Sequence, residues 1–277
     1  MTECFPLICY FNALNINRAI NNMSSMKNIL ITGAASGIGQ GIAFFLADKG
    51  HHILVTDLVL AQAEKTADFI KQKGGSAQAF ELDVTDQQQI DFLIGELECS
   101  VDVLINNAGI QHVEDLETFP MEKWSFLVQV LLVGVARLTQ AVLPQMRKQN
   151  FGRIINIGSL HALVASPYKS AYVAAKHGLL GFSKTVALEV AKSNITINTL
   201  CPAYVKTPLV EKQIADQAKQ HGISEKQVIE QIMLKPMPKK AFIAIDELAG
   251  SCEFLISDYA KNITAQAIAL DGGWTAQ

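Results

Sequence analysis

The feature that most constrains this chain is a short apolar run, Ile29–Thr32, that ends on Gly33-Ala-Ala-Ser-Gly37-Ile-Gly39 and passes at once into a helical pattern. Glycine reaches backbone conformations that a side chain forbids, so a strand can turn sharply there and feed a helix. Ile42, Ala43, Phe44, Leu46 and Ala47 supply the helical face, and Gly50 closes it. A second run, Ile53–Thr56, follows and ends at Asp57. A strand, a crossover helix and a second strand in this order make a βαβ unit with parallel strands.

The pattern repeats to the end of the chain. A helix over Leu60–Lys73 stops at Gly74-Gly75, and Ala77–Leu82 reads as the third strand. Asp86–Leu97 reads as a helix, and Val101–Ile105 as a strand that runs into Asn106-Asn107-Ala108-Gly109. A long helix covers about Met121–Gln149, and strand Arg153–Ile157 leads to Ser159. The helix that carries Tyr172 runs to about Lys192, strand Ile195–Leu200 follows, and helix Ile245–Ser257 precedes a last strand, Ala267–Leu270. Strands alternating with helices specify an α/β fold, a single domain over 26–277 built on a parallel sheet.

Two stretches fall outside the alternation. Met1–Ser25 holds an apolar run at Phe5–Phe11 with Glu3 ahead of it and no cation, then an Asn-rich segment. It lacks the basic start of a signal peptide and is too short to span a membrane. The expectation is a poorly ordered extension, with Met23 or Met26 as the true start, since the periodic pattern begins at Lys27. Tyr204–Lys240 is rich in Gln and Lys, bounded by prolines, and weakly helical. An insertion after a parallel strand's carboxyl end lies where open α/β sheets bind ligands, so a helical substrate lid is expected there.

Composition excludes several roles. A net charge of −3 gives no basic surface for nucleic acid or an anionic membrane. The cysteines Cys4, Cys9, Cys99, Cys201 and Cys252 are scattered, with no C-x-x-C, which suits free thiols in a reducing cytoplasm. The histidines show no metal-ligand spacing, so no catalytic metal is expected.

The glycines between the first strand and helix suit a pyrophosphate, because the backbone can approach it and the helix start offers N–H donors and a positive dipole end. Asp57 lies at the end of the second strand, where a carboxylate accepts from adenine ribose hydroxyls and repels a 2′-phosphate. No Arg or Lys occurs in Ala34-Ala35-Ser36 or just after Asp57, so NAD is favoured over NADP. The acid–base candidates lie further on. Tyr172 and Lys176 sit four apart on a helix, on one face, with Cβ atoms about 5–6 Å apart. A free tyrosine has a pKa of about 10, and a nearby cation favours the phenolate. Ser159, thirteen residues before the tyrosine, can hold a carbonyl or alcohol oxygen while Tyr172 moves its proton.

TGAASGIG at Thr32–Gly39, NNAG at Asn106–Gly109, Ser159 and Tyr172-x-x-x-Lys176 together resemble the short-chain dehydrogenase/reductase family, over about Lys27 to Gln277. The resemblance implies a doubly wound Rossmann domain, a seven-stranded parallel sheet with helices on both faces, and usually a homotetramer. It implies a nucleotide site made of Gly33, Ser36, Gly37, Ile38, Gly39, Asp57, Asp83, Val84, Asn107, Ala108, Gly109, Tyr172, Lys176, Pro202, Val205 and Thr207. Catalysis would rest on Ser159, Tyr172 and Lys176. A finer resemblance, in GIQHV at Gly109–Val113, EKW at Glu122–Trp124, TPLVEKQI at Thr207–Ile214 and the closing DGGWTAQ, is to the members of the family that act on 3-hydroxybutyrate. It implies that Gln111, His161, Lys169 and Gln213 hold a short acid's carboxylate, with Ser159 and Tyr172 at the reacting oxygen. The expected activity is NAD-dependent interconversion of D-3-hydroxybutyrate and acetoacetate. A dehydrogenase for another small polar alcohol, and a nucleotide-binding protein with little turnover, stay open as rivals. The last is motivated by Leu131, which stands where the family carries an asparagine. Ala203 and Tyr204 also depart, from the family's glycine and from a tryptophan near the substrate.

Overall fold

The computed structural model describes residues 26–276; the expected N-terminal extension lies outside them. Strands β1 (Asn28–Thr32), β2 (His52–Asp57), β3 (Ser76–Glu81), β4 (Val103–Asn106), β5 (Gly152–Ile157), β6 (Ile195–Pro202) and β7 (Ala267–Leu270) form one parallel sheet in the order β3-β2-β1-β4-β5-β6-β7. The order reverses between β1 and β4, as in a doubly wound Rossmann fold, and opens a crevice at the carboxyl ends of those strands.

Each central strand is buried on both faces and so reads as a near-continuous apolar run. Its residues alternate between two cores. Ile29, Ile31, Ile53, Val55, Val103 and Ile105 face one side, under helices α1 (Gly37–Asp48), α2 (Leu60–Gln72) and α9 (Ile245–Ile256). Leu30, Leu54, Leu104, Ile154 and Ile197 face the other, under α3 (Gln87–Glu96), α5 (Gly134–Gln149) and α6 (Ser170–Glu189). Asp86 caps α3 by accepting from the backbone N–H groups of Gln88 and Gln89, which is how an aspartate starts a helix.

The expected long helix is continuous but not uniform. It runs as α4 (Met121–Val128), then one π-helical turn over Gln129–Val133, then α5. Its length and apolar character would allow a membrane span, yet Leu131, Leu138, Val142 and Met146 are buried in the protein core. The stretch after β6 folds as α7 (Pro208–His221), the short α8 (Glu225–Gln227) and a π-helical turn, Val228–Met233. Its base is pinned by a parallel bridge between Val205 and Ile243. Ile214, Val228 and Met233 give this unit a small core of its own.

Candidate active site

The glycine turn is built by β4 as much as by β1. Asn107 Nδ2 donates to the carbonyls of Thr32 (2.8 Å) and Gly33 (3.0 Å), and Thr32 Oγ1 accepts from the N–H groups of Asn107 and Ala108. Gly33 has a φ of +62°, the left-handed region that glycine enters without strain. At Gly39 a Cβ would stand 2.4 Å from both Asn107 Nδ2 and the Gly33 carbonyl oxygen. The Asn107 side chain is therefore spent on shaping the turn. Asp57 acts from the other side: its Oδ2 accepts from the Ala35 N–H at 3.1 Å. Ser36, at the start of α1, makes no side-chain capping bond, and the first turn holds no acid. That leaves the positive end of the helix open to an anion.

Asp83 and Val84 close the turn after β3. Asp83 Oδ1 accepts from Thr85 N and Oγ1 at 2.8 and 2.7 Å. Val84 lies against Gly134, where a Cβ would meet its carbonyl at 2.8 Å.

β5 delivers the catalytic candidates. After Gly158, Ser159 Oγ accepts from His161 N at 3.1 Å and starts a short 3-10 turn, Leu160–Ala162. Tyr172 and Lys176 then come from one face of α6 toward the same space, with Lys176 Nζ 5.7 Å from the phenol ring centroid. The electrostatics differ from the sequence expectation. The tyrosine pKa is raised, not lowered: burial dominates, and the hydrogen bond with Ser159 opposes it. Lys176 is itself buried and donates to the Ile157 carbonyl at 2.7 Å. Burial pulls its pKa down to about 8. Desolvation disfavours whichever form is charged, and burial is the largest cause of both shifts.

Gln111 from the loop after β4, His161 and Lys169 from the β5–α6 connection and Gln213 from α7 line the pocket that Ser159, Tyr172 and Lys176 also line. They meet in pairs. Lys169 Nζ stands 3.3 Å from His161 Nε2, and Gln213 Nε2 donates to Gln111 Oε1 at 3.2 Å, so α7 reaches over to the loop after β4. The His161 pKa is held at about 4, by burial first and the Lys169 charge second, with a backbone contact at Val164 opposing. Burial also lowers the Lys169 pKa.

The cavity is about 190 Å³. Ile38, Asn107, Gly109, Pro202, Val205 and Thr207 join its wall from the nucleotide side. Gly33, Ser36, Gly37, Gly39, Asp57, Asp83, Val84 and Ala108 stand outside it, at or near the carboxyl ends of β1 to β4. Leu131 also lines the pocket, from the π-helical turn, against Gly109. Sequence reasoning gave Trp274 no role, yet it lines the pocket with its ring 6.2 Å from that of Tyr204. The signal was available: a tail that follows the last parallel strand leaves at the ligand-binding edge. Among the described residues no cluster of His, Cys, Asp and Glu suits a metal.

A dinucleotide edge beside a Ser-Tyr-Lys pocket on a parallel sheet defines an oxidoreductase class, and comparison with known proteins gives its family. The short chain dehydrogenase family model matches residues 27–218, and the chain belongs to that family. It is 44% identical over 256 residues to a D-beta-hydroxybutyrate dehydrogenase of Rhizobium meliloti (strain 1021), covering 91% of this chain and 99% of the relative. A D-beta-hydroxybutyrate dehydrogenase of Cupriavidus necator is 40% identical over 258 residues, covering 92% and 100%. Among solved structures, a crystal structure of an actinorhodin polyketide ketoreductase with NADPH superposes with a TM-score of 0.86 at 30% identity, covering 91% of this chain and 98% of that one.

Proposed function

We propose that this oxidoreductase interconverts D-3-hydroxybutyrate and acetoacetate with NAD as cofactor. The observation that carries the reading is the convergence of Lys169, His161, Gln111 and Gln213 on the pocket of Ser159 and Tyr172. A short acid needs a cation and amide donors at one end and an acid–base group at the other. Hydrogen bonds to charged groups contribute about 1.5–3 kcal/mol each. Two relatives named for this activity support it.

The residues present fit a dinucleotide. The uncapped start of α1 suits a pyrophosphate, and the Asp57 carboxylate, with one oxygen held by Ala35, suits ribose hydroxyls and disfavours a 2′-phosphate. The bound nicotinamide supplies the hydride acceptor. The chain supplies position and proton transfer. Lys169 and the paired amides orient the carboxylate, and Ser159 holds the C3 oxygen. Tyr172 takes the hydroxyl proton in oxidation and returns it in reduction. Lys176, still mostly charged at neutral pH, favours the phenolate once the proton moves. A homotetramer forms part of the proposal, for light scattering to check.

The direct test is NADH formation from D-3-hydroxybutyrate against a panel of other small alcohols. Turnover of the hydroxy acid at least about tenfold above the panel in kcat/KM is expected, a difference of about 1.4 kcal/mol. Comparable rates across the panel would remove the assignment.

A further inference from the structure

Helix α6 brings Tyr172 and Lys176 to the pocket, yet its apolar contacts do little to fix where it lies. Its buried residues include the small Ala171, Ala175 and Ala187, and apolar attraction is non-directional. A directional link lies further along the helix, at Ser183. Ser183 is seven residues beyond Lys176 and eleven beyond Tyr172, so at 3.6 residues per turn all three share one stripe. Ser183 is buried, and its hydroxyl is fully used. A hydroxyl offers one hydrogen and two lone pairs. The hydrogen goes to the Leu179 carbonyl at 2.7 Å, so the lone pairs accept from Asn156 Nδ2 at 3.0 Å and Thr199 Oγ1 at 3.2 Å.

Asn156 belongs to β5 and Thr199 to β6, and the two stand opposite each other in the ladder. Asn106 of β4, opposite Asn156 on its other side, donates to Asn156 Oδ1 at 2.8 Å. One serine thus ties the helix to two strands directly and to a third through Asn156. These strand residues adjoin the site. Asn156 precedes Ile157, whose carbonyl receives the Lys176 ammonium at 2.7 Å. The Thr199 methyl lies over Gly158, where a Cβ would stand 2.6 Å from it, and Gly158 leads to Ser159. A helix shifted or rotated on the sheet would part Lys176 from Ile157 and Tyr172 from Ser159 together.

Buried hydrogen bonds specify one arrangement where apolar packing tolerates several. We propose that Ser183 is a positioning residue for proton transfer: through Asn156 and Thr199 it indexes α6 on the sheet and so sets the placement of Tyr172 and Lys176. Ser183 does not line the pocket and acts only through its helix. The inference rests on the acid–base role given to Tyr172 above. Three titratable groups face the phenol: Lys176 from its own helix, His161 from the β5–α6 connection with its ring 6.2 Å away, and Cys201 from β6. His161 titrates at about 4 and Cys201 at about 11, so the rise of oxidation above neutrality belongs to Tyr172 and Lys176 together.

The test is Ser183→Ala, which leaves Asn156 and Thr199 short of a partner, set beside Ser183→Thr, which keeps the hydroxyl. The full chain is assayed with NAD and D-3-hydroxybutyrate, or whichever alcohol the wild type oxidises. In Ser183→Ala, kcat is expected to fall on the order of tenfold, with KM and NADH binding little changed. The rise of oxidation with pH is expected to move to higher pH, because a displaced Lys176 favours the phenolate less. Ser183→Thr is expected to recover both. Loss of packing alone would lower the melting temperature and leave the pH profile in place. Should Ser183→Ala not fold, Thr199→Val removes one arm of the link at nearly constant shape and is expected to move the profile the same way. A wild-type kcat and profile in the variant that folds, with Tyr172→Phe inactive, overturns the inference and leaves the parent reading standing. Full activity in Tyr172→Phe overturns both.

Discussion

The Lys169 ammonium lies 3.3 Å from Nε2 of His161 in the wall of the same pocket as Tyr172. A lysine can only donate, so His161 accepts with Nε2 and is neutral. The pair presents one positive charge, partly desolvated, to an incoming anion. Lys169→Ala removes that charge and is expected to raise KM for 3-hydroxybutyrate strongly while NAD binding changes little. Steady-state kinetics with a separate NAD titration checks it. A wild-type KM would mean that the charge does not meet the substrate.

The same pair makes stability depend on pH. His161 titrates near 6.5 when unfolded and about 4 when folded. Between these values the unfolded chain binds more protons, so stability falls as pH drops from 6.5 toward 4 and is retained above 6.5. The effect is on the order of 3 kcal/mol. Denaturant melts of wild type and His161→Gln across this range provide the measurement. The variant's curve is expected to be flatter, and parallel curves would place the titration elsewhere.

Tyr172→Phe deletes the hydroxyl at nearly constant volume. It is expected to lower turnover by on the order of 10²-fold or more while still binding NADH, which fluorescence can follow. Because burial raises the phenol pKa, phenolate is scarce at neutral pH. Oxidation, which needs the base, should therefore speed up as pH rises from neutrality, and reduction, which needs the acid, should not.

Asp57 sets the cofactor prediction. With Oδ2 held by Ala35, the carboxylate stands fixed at the end of β2. NAD is expected to be preferred over NADP by at least about tenfold in kcat/KM, or about 1.4 kcal/mol. Equal rates with the two cofactors would contradict it.

The sheet was legible because its central strands are buried on both faces and so stand out as apolar runs. Boundaries moved where a side chain competed for the backbone. β4 begins at Val103 and not Val101, since the Val101 N–H donates to Gln145 Oε1 outside the ladder. β6 runs on to Pro202 because β7 pairs that far. The four residues proposed to hold the carboxylate were named only through resemblance, as scattered polar residues carry no periodic signal. The tyrosine's raised pKa could not be read at all: charge spacing is written in the sequence, but desolvation belongs to the folded pocket. The π-helical turn was hidden for a similar reason. Val130–Val133 is apolar throughout, so no face marks a change of helical period.

That turn carries the last prediction. Leu131 is 1% exposed, packs with Phe119, Leu127, Ala171 and Ala175, and lines the pocket where the family resemblance places an asparagine. In the family that residue helps hold a water linking the lysine to solvent. Leucine has no donor or acceptor, and the Lys176 ammonium instead donates to the Ile157 carbonyl. π-helical turns recur at functional sites, and this one keeps position 131 aimed at the pocket whatever side chain it carries. Leu131→Asn is therefore expected to raise kcat with little change in KM. It also places an amide in an apolar cluster and gives up a buried leucine, at a cost on the order of 2 kcal/mol, so the melting temperature should fall by several degrees. Kinetics and thermal melts on both proteins check the two halves together. A lower melting temperature with an unchanged kcat would mean that proton exit does not limit turnover in this chain.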